Sequence, residues 1–351
     1  MDVRVGVIGV GMIGQDHIRR ITQVLTGGSV TAVSDVDAAR AGQVAAGLPG
    51  ATVHDSAQDL IGDETVDAVL VASWGAAHEE QVVAAIRAGK PVFCEKPLAP
   101  ASDACQRIMD AEMAAGRRLV QVGFMRRFDA GYRAMKATLD DGGIGAPLLM
   151  HCAHRNPSVP PYGFTTDMII SDSAVHEIDV VRWLFGEEIA AATVLTPRRS
   201  SQAGDGLQDP LILLLEMASG VLVDDELFVN ARYGYDVRGE IVGETGTVAL
   251  ADVSEVTVRA GNRCSIVPVG QPPQTPPRGD RVPVDWRDRF VRAYDTELQE
   301  WLNAVAAGGA TGPSSWDGYA AAAVTDAAVE ALRTGRRAAV AMPERPDFYA
   351  K

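Results

Sequence analysis

The chain has 351 residues, 47% of them hydrophobic and 22% charged, and its formal net charge is −14. A chain of this size and apolar content buries a core without staples, which excludes disordered, collagen-like and disulfide-scaffold classes. The acidic balance argues against nucleic acid and against anionic membrane surfaces, because both recruit Lys and Arg.

Residues 1–122 alternate strand and helix patterns. Short apolar runs lie at 3–8, 30–34, 67–72, 91–94 and 118–122, and helix-like stretches lie near 14–25, 37–47, 76–88 and 101–116. Such alternation predicts βαβ units and a parallel sheet covered on both faces. The pattern changes in 123–351. A helix is predicted over 129–140, then strands over 147–154, 190–196, 210–217, 220–229, 236–242, 246–250 and 254–259. Short Gly turns between consecutive strands predict an open, mainly antiparallel sheet. A helix over 173–185 interrupts that series, and helices over 286–307 and 316–334 close the chain. The stretch 268–283 holds Pro268, Pro272, Pro273, Pro276, Pro277 and Pro283 and reads as an extended loop. The fold class is therefore α/β, with a domain over 1–122 and an α+β domain for substrate binding and oligomerisation over 123–351.

Cys94, Cys105, Cys152 and Cys264 form no C-x-x-C pair and read as free thiols of a reducing compartment. The N-terminus enters a strand pattern directly, without a leader. No apolar run reaches the roughly 18–20 residues that span a bilayer. These features predict a soluble, cytoplasmic protein.

Gly9, Gly11 and Gly14 form G-x-G-x-x-G between the first strand and the first helix. An acid, Asp35, ends the next strand 21 residues beyond Gly14. That context is the dinucleotide fingerprint of a Rossmann domain. Gly9 permits the tight turn, Gly11 lets backbone approach the pyrophosphate, and Gly14 lets helix and strand pack closely. Asp35 can accept hydrogen bonds from the adenosine ribose and would repel a 2′-phosphate, so NAD is expected over NADP. Asp37 adds negative charge, and the nearest cation in sequence, Arg40, stands five residues after Asp35. Met12 and Ile13 inside the fingerprint are further cofactor candidates. So are Ser73, Trp74, His78, Glu95 and Lys96 after the third and fourth apolar runs.

Glu95-Lys96-Pro97 ends the fourth strand, at the edge where parallel sheets meet ligands. Taken alone, Lys96 reads more readily as a solvated lysine before a turn. Placed in the crevice, it would meet a substrate oxygen. Asp172, His176 and Asp179 recur at i, i+4 and i+7 and share one helix face. A carboxylate beside His raises its pKa and orients its ring, which suits a general base for a hydroxyl proton. The plain alternative is an N-cap Asp172 with an exposed His176. His151-Cys152-Ala153-His154 invites a metal reading, but on a strand the two histidines point to opposite faces, so no metal is expected. His154 and Asn156 fit polar contacts to a hydroxylated ligand better. Tyr233 and Tyr235 read equally as core, interface or substrate wall.

These residues resemble those of the glucose–fructose oxidoreductase / inositol dehydrogenase / rhizopine catabolism family, over nearly the whole chain. The shared stretches are S-W-G-A-A-H at 73–78, V-F-C-E-K-P-L-A at 92–99, R-L-V-Q-V-G-F-M-R-R-F-D at 118–129, H-C-A-H-R-N-P at 151–157 and T-T-D-M at 165–168. V-H-E-I-D-V at 175–180, Y-G-Y-D at 233–236, E-I-V-G-E at 240–244 and W-D-G-Y at 316–319 complete the set. The resemblance implies oxidation of an axial ring hydroxyl of an inositol to a ketone, with hydride passing to NAD. It makes His176 the base, Asp172 its support and Lys96 the group that holds the substrate oxygen. Met125, Arg126, His154, Asn156, Ser173, Asp179 and Tyr235 match positions that line the pocket of such enzymes. Ser173 and the loop Val159–Gly163 depart from the usual pattern, which bears on the identity of the substrate. The resemblance also implies a homotetramer formed through the open sheet face.

Related activities are dehydrogenation of scyllo- or chiro-inositol or of an aldose. A non-catalytic NAD-binding sensor is a different class, and the presence of Lys96, Asp172 and His176 argues against it, because a pure binder needs no base.

Overall fold

The first βαβ series folds as β1 (Val3–Ile8), α1 (Met12–Gln23), β2 (Gly28–Ser34), α2 (Ala38–Ala45), β3 (Thr52–Val53), α3 (Ala57–Gly62), β4 (Ala68–Val71), α4 (His78–Arg87), β5 (Val92–Glu95), α5 (Ser102–Ala114) and β6 (Val120–Gly123). Thereafter come α6 (Ala130–Asp140), β7 (Pro147–Arg155), α7 (Thr166–Met168), α8 (Val175–Phe185), β8 (Ile189–Leu195), β9 (Leu211–Met217), β10 (Leu222–Phe228), β11 (Asp236–Gly243) and β12 (Gly246–Asp252). The series ends with β13 (Glu255–Ala260), β14 (Arg263–Pro268), α9 (Trp286–Arg289), α10 (Val291–Ala306), α11 (Ser315–Thr334) and β15 (Ala338–Ala339). This computed structural model describes residues 2–160, 163–252, 255–269 and 282–350. Most of the proline-rich stretch 268–283, and Pro161 and Tyr162 of the 159–163 loop, lie outside the described residues.

The chain forms two compact units. The first joins Met1–Phe124 to Tyr294–Ala322 and Pro343–Lys351, and the second joins Met125–Ala293 to Ala323–Met342. The first unit is thus discontinuous in sequence, where the sequence reading places one cut after residue 122.

In the first unit the strands form a parallel sheet in the order β3-β2-β1-β4-β5-β6 among the described residues. Order reverses around β1, and ligands bind open α/β sheets at the carboxyl ends of strands beside such a switch point. The side chains of β4 and β5 are buried along their whole length, which explains continuous apolar runs in place of alternation. Leu298, Trp301 and Leu302 of α10 pack into the same core as Val5, Ile21 and Phe93. Glu112 of α5 is buried yet fully employed. It accepts hydrogen bonds from the Leu119 and Val120 amides at 2.6 and 2.8 Å, from Ser315 Oγ at 2.7 Å and from Tyr349 Oη at 2.9 Å. A buried carboxylate with four donors is stabilising, and here it ties β6, α11 and the chain end together.

The second unit carries a sheet in the order β14-β13-β12-β11-β7-β10-β9-β8-β15. Its pairs are antiparallel except β7 with β10, which run parallel with His151 opposite Asp224. One face is buried: Val223, Asp225 and Leu227 of β10 point inward and their neighbours do not. Every residue from Val175 to Arg182 in α8 is buried, including the polar His176, Glu177, Asp179 and Arg182. Gly186 ends it in the left-handed conformation, φ 68°.

Five elements are absent from the sequence expectation: β3, α3, α7, β14 and β15. β3 has only two residues, and β14 is exposed throughout, so neither carries a burial pattern to read. The helix expected over 286–307 breaks after Arg289 into α9 and α10. Among the described residues no helix is long and apolar enough to cross a membrane.

Candidate active site

The fingerprint glycines do what their positions require. Gly9 has φ +89°, and a Cβ there would lie 2.5 Å from the Ser73 amide nitrogen. A Cβ on Gly14 would lie 2.0 Å from the Gly9 carbonyl oxygen. Gly11 is the opposite case, since a Cβ there would meet nothing within 4 Å. Gly11 is also the N-cap of α1 and offers no side-chain cap, so the first amides of the helix are free to meet a phosphate. The space, the uncapped helix start and the absence of side chains together fit a pyrophosphate.

Asp35 is not a helix cap; Asp37 caps α2, accepting from the Arg40 amide at 3.0 Å. Asp35 instead braces the crevice, accepting from the Val10 amide at 2.7 Å and the Asp37 amide at 2.9 Å. Each carboxylate oxygen keeps lone-pair capacity for a ribose hydroxyl. The first turn of α2 brings Arg40 back toward the acids. Its guanidinium lies 3.7 Å from Asp35 and 3.0 Å from Asp37. Spacing in sequence had set that cation apart, and helical geometry corrects this, so the two acids are partly compensated. Met12 and Trp74 stand exposed on the same unit, Trp74 at 82%, and Ile13 is half-buried.

At the end of β5, Glu95 clamps the backbone of its neighbour. One oxygen accepts from the Lys96 amide at 3.1 Å, and the other meets Nε2 of buried His17 at 2.7 Å. The carboxylate only accepts, so Nε2 of His17 carries the proton in that bond. Lys96 itself is half-buried, and its peptide to Pro97 is cis. His78 was expected at the cofactor. It is buried and instead staples two turns: Nδ1 lies 2.8 Å from the Pro97 carbonyl and Nε2 lies 3.0 Å from the Ser73 carbonyl. Burial pulls its pKa below the ordinary histidine value, against the two carbonyl contacts, which favour the protonated ring. Ser73 is tied down through its hydroxyl, which donates to Gln81 Oε1 at 2.7 Å.

In the second unit, Asp172 does not cap a helix. It lies in a π-helical turn over Ile169–Ala174 that leads directly into α8. Such wide turns inside helices recur at functional sites because they re-aim side chains. Asp172 is half-buried and accepts from Ser171 Oγ at 3.3 Å, while His176 is buried at 8% exposure. Asn156, after β7, donates to Ser173 Oγ at 3.3 Å and so joins the strand end to the π turn.

His154 faces inward at 3% exposure, while His151 of the same strand faces outward and pairs with Asp224 at 2.5 Å. The His154 ring lies 6.1 Å from that of His176 and edge-on to Tyr235 at 5.8 Å. The two tyrosines thereby separate. Tyr235 is buried, with its pKa pushed up to about 12 by that burial, whereas Tyr233 is exposed and donates to Asp236 at 2.6 Å.

Two expected pocket residues have other employment. Arg126 is buried, paired with Glu177 and stacked over Phe290 at 5.7 Å. Asp179 is fully buried and takes a two-point pair from Arg127, at 2.8 and 2.5 Å. Met125 is buried as well. Sequence reasoning missed Glu177 altogether. It is buried, bridging Arg126 and His154 Nδ1, the latter at 3.0 Å. Burial opposes its charge, yet Arg126 and His154 outweigh that and hold its pKa below the ordinary carboxyl value. Asp225, also missed, is buried beside this cluster with no hydrogen bond to either oxygen among the described residues. Burial and the charge of Glu177 push its pKa well up. All four cysteines are free thiols, Cys264 alone being exposed. Among the described residues no three His, Cys, Asp or Glu side chains cluster as metal ligands.

Comparison with known proteins matches this arrangement in both units. Residues 3–124 match the NAD-binding Rossmann-fold model of an oxidoreductase family, and residues 136–341 match that family's C-terminal alpha/beta domain. An inositol 2-dehydrogenase of Saccharopolyspora erythraea is 54% identical over 99% of this chain and 98% of its own. The myo-inositol dehydrogenase of Lactobacillus casei, solved with NAD(H) and myo-inositol, is 37% identical with a TM-score of 0.90, covering 99% of this chain and 100% of that one. The scyllo-inositol dehydrogenase of the same organism, solved with NAD(H) and scyllo-inositol, is 25% identical with a TM-score of 0.83, covering 97% and 100%. The chain belongs to the glucose–fructose oxidoreductase / inositol dehydrogenase / rhizopine catabolism (Gfo/Idh/MocA) family of oxidoreductases.

Proposed function

We infer that this chain oxidises a secondary ring hydroxyl of an inositol to a ketone, with NAD as the hydride acceptor. End-to-end likeness to an enzyme solved with NAD(H) and myo-inositol carries this reading. The open space at Gly11 and the uncapped start of α1 support it. The preferred substrate is myo-inositol, giving its 2-keto product. Likeness to the scyllo-inositol enzyme keeps a second ring isomer in contention.

Gly9, Gly11 and Gly14, with Met12 and Ile13, would hold the dinucleotide phosphates, and Asp35 the adenosine ribose. Ser73, Trp74 and Glu95 would border the same crevice. When bound, NAD supplies the hydride acceptor. The chain's own groups handle the proton and the charge. His176 removes the hydroxyl proton as general base. Asp172 favours the protonated ring that results. Lys96 stabilises the oxygen as negative charge develops, more in the transition state than in the neutral alcohol. His154, Asn156, Ser173 and Tyr235 would fix the ring hydroxyls. Arg126 and Asp179 act on the site through Glu177 and Arg127.

The protein is also read as a cytoplasmic homotetramer. The outward face of the second sheet supports self-association, because Leu222 is exposed there among half-buried Leu149, Ile212 and Leu214. Light scattering on the purified chain tests the assembly.

The activity is tested by NADH absorbance with myo-, scyllo- and chiro-inositol and aldoses, each with NAD and NADP. The expected result is fastest turnover with myo-inositol and NAD. Tight NAD binding with no turnover of any polyol would leave a dinucleotide sensor.

A further inference from the structure

Glu177 follows the proposed base in sequence but faces a different partner. One of its oxygens pairs with Arg126, and the other lies 3.0 Å from Nδ1 of His154. All three side chains are at most 3% exposed. Nδ1 of His154 also lies 3.3 Å from Arg126 Nη2. A ring nitrogen can carry a proton and donate to the carboxylate, or carry a lone pair and accept from the guanidinium, but not both. The carboxylate is ionised beside Arg126 and can only accept. A bare Nδ1 would set lone pair against lone pair at 3.0 Å in a buried site, where unpaired acceptors are costly. Arg126 already discharges onto Glu177, and its contact to the ring is the longer one. The proton therefore sits on Nδ1. A neutral ring so protonated has its lone pair on Nε2. Both hydrogen-bonding contacts of this ring among the described residues are made by Nδ1.

We propose that Glu177 is a positioning residue that fixes His154 as a hydrogen-bond acceptor, so that the second unit selects a ligand presenting an O–H at that point. This rests on the reading of the protein as an inositol dehydrogenase. A ring hydroxyl satisfies Nε2 by donating its proton. A group that only accepts, such as fluorine, an ether oxygen or a carbonyl, meets the lone pair and is rejected. The discrimination is therefore between hydroxyl and isosteric acceptor, set by a residue that never touches the substrate.

Glu177→Gln inverts the device. Arg126 has only donors and takes the amide oxygen, so the amide NH2 faces Nδ1 and draws out its lone pair. The proton moves to Nε2, which then donates. A hydroxyl can still accept there, and so can fluorine.

Two measurements test this on the full chain. The first is ring 15N NMR of the wild type labelled at histidine, at mildly alkaline pH, with His154 assigned by His154→Asn. The expected pattern is a protonated Nδ1 and a lone-pair Nε2. A protonated Nε2, alone or with Nδ1, overturns the proposal without any variant having to fold. The second is kcat/KM for myo-inositol against its monodeoxyfluoro analogues. Wild type should reject the analogue substituted at the His154 position by about 10²-fold or more, as sites built for a hydroxyl do. Glu177→Gln should bring that ratio to within about threefold, the analogue losing its unpaired-acceptor penalty. A loosened site would instead lower both substrates together and leave the ratio unchanged, which would refute the positioning role. If wild type turns over no inositol, the functional reading fails, while the tautomer result still stands or falls alone.

Discussion

The two units satisfy their polar groups in opposite ways. In the first, the crevice is held by backbone. Asp35 accepts from two main-chain amides, Glu95 accepts from the Lys96 amide, and Gly9 and Gly14 allow main-chain atoms to approach closely. In the second, charged side chains far apart in sequence hold one another inside the core: Arg126 with Glu177 and His154, and Arg127 with Asp179. Backbone clamps build a surface that any dinucleotide phosphate can use. Buried charge networks set the protonation and direction of individual groups, which suits a selective polyol pocket. On the proposed function the difference would divide the work: cofactor choice to the first unit and removal of the proton to the second, with Lys96 of the first unit serving the substrate oxygen.

The largest test of that division removes one group from each unit. His176→Ala should lower kcat by about 10²–10⁴-fold, the range of a lost general base, and leave NAD affinity near wild type. The wild-type rate should rise with pH through the neutral range, because the base must be unprotonated. Lys96→Ala should lower kcat by roughly 10²–10³-fold, the scale of a lost oxyanion donor. Lys96→Arg should not restore it, since a planar fork replaces a point charge. Steady-state kinetics with NAD titration checks all three. A raised KM with normal kcat in Lys96→Ala would reduce that residue to a binding group.

Next in size is the clamp behind Lys96. Glu95→Ala should cut kcat by about 10–10²-fold by releasing the Lys96 backbone, a misplacement of the kind that is costly at a reacting centre. Glu95→Gln should recover most of it, because its amide oxygen still accepts from Lys96 while His17 changes tautomer. Equal losses in the two variants would point to the charge in place of the clamp.

The cofactor prediction is smaller. Wild type should prefer NAD by at least about tenfold, the scale of one unfavourable charge contact near 1.4 kcal/mol. Arg40 lies 3.7 Å from Asp35, so Asp35→Ser should relax the preference further than loss of one charge alone. The rank order of polyols should not change. A changed polyol order would break the division of labour.

The smallest effect is on stability. Asp225 is buried with both oxygens lacking a hydrogen bond among the described residues, and its folded pKa lies well above the unfolded one. Between those two values the folded state holds a proton that the unfolded state has lost, so stability falls as pH rises across that window. Asp225→Asn should therefore raise Tm by about 2–4 °C at pH 8, the shift of about 1 kcal/mol in a domain this size, and by less at pH 5. Glu177 has the opposite sign. Its lowered pKa adds stability above the ordinary carboxyl pKa that is lost as pH falls through the folded value. Melting curves at pH 8 and pH 5 follow Asp225, and curves carried below about pH 4 add the loss at Glu177.

This contrast also explains what could be read from sequence. The fingerprint, Asp35 and the E-K-P turn were legible because backbone clamps are local: a few residues at fixed spacing define them. The order of strands and helices was legible where burial alternates or runs unbroken. Glu177 was not, because its meaning comes from Arg126 and His154, 51 and 23 residues away. Arg126 looked like a pocket residue for the same reason. Asp225 shares its strand face with Val223 and Leu227, so alternation places it inward, but nothing local in the sequence marks it as a buried acid beside Glu177. The π turn was not legible either: the reading set Asp172 on one regular helix face with His176 and Asp179, with a capped helix start as the plain alternative.

The central claim is hydride transfer from a ring carbon of an inositol to NAD. The most direct measurement gives the purified enzyme myo-inositol deuterated at C2, with NAD, and weighs both products. The expected result is reduced nucleotide carrying one deuterium and a monoketone that has lost it. Deuterium released to water, or no reduced nucleotide from this substrate, would contradict the account.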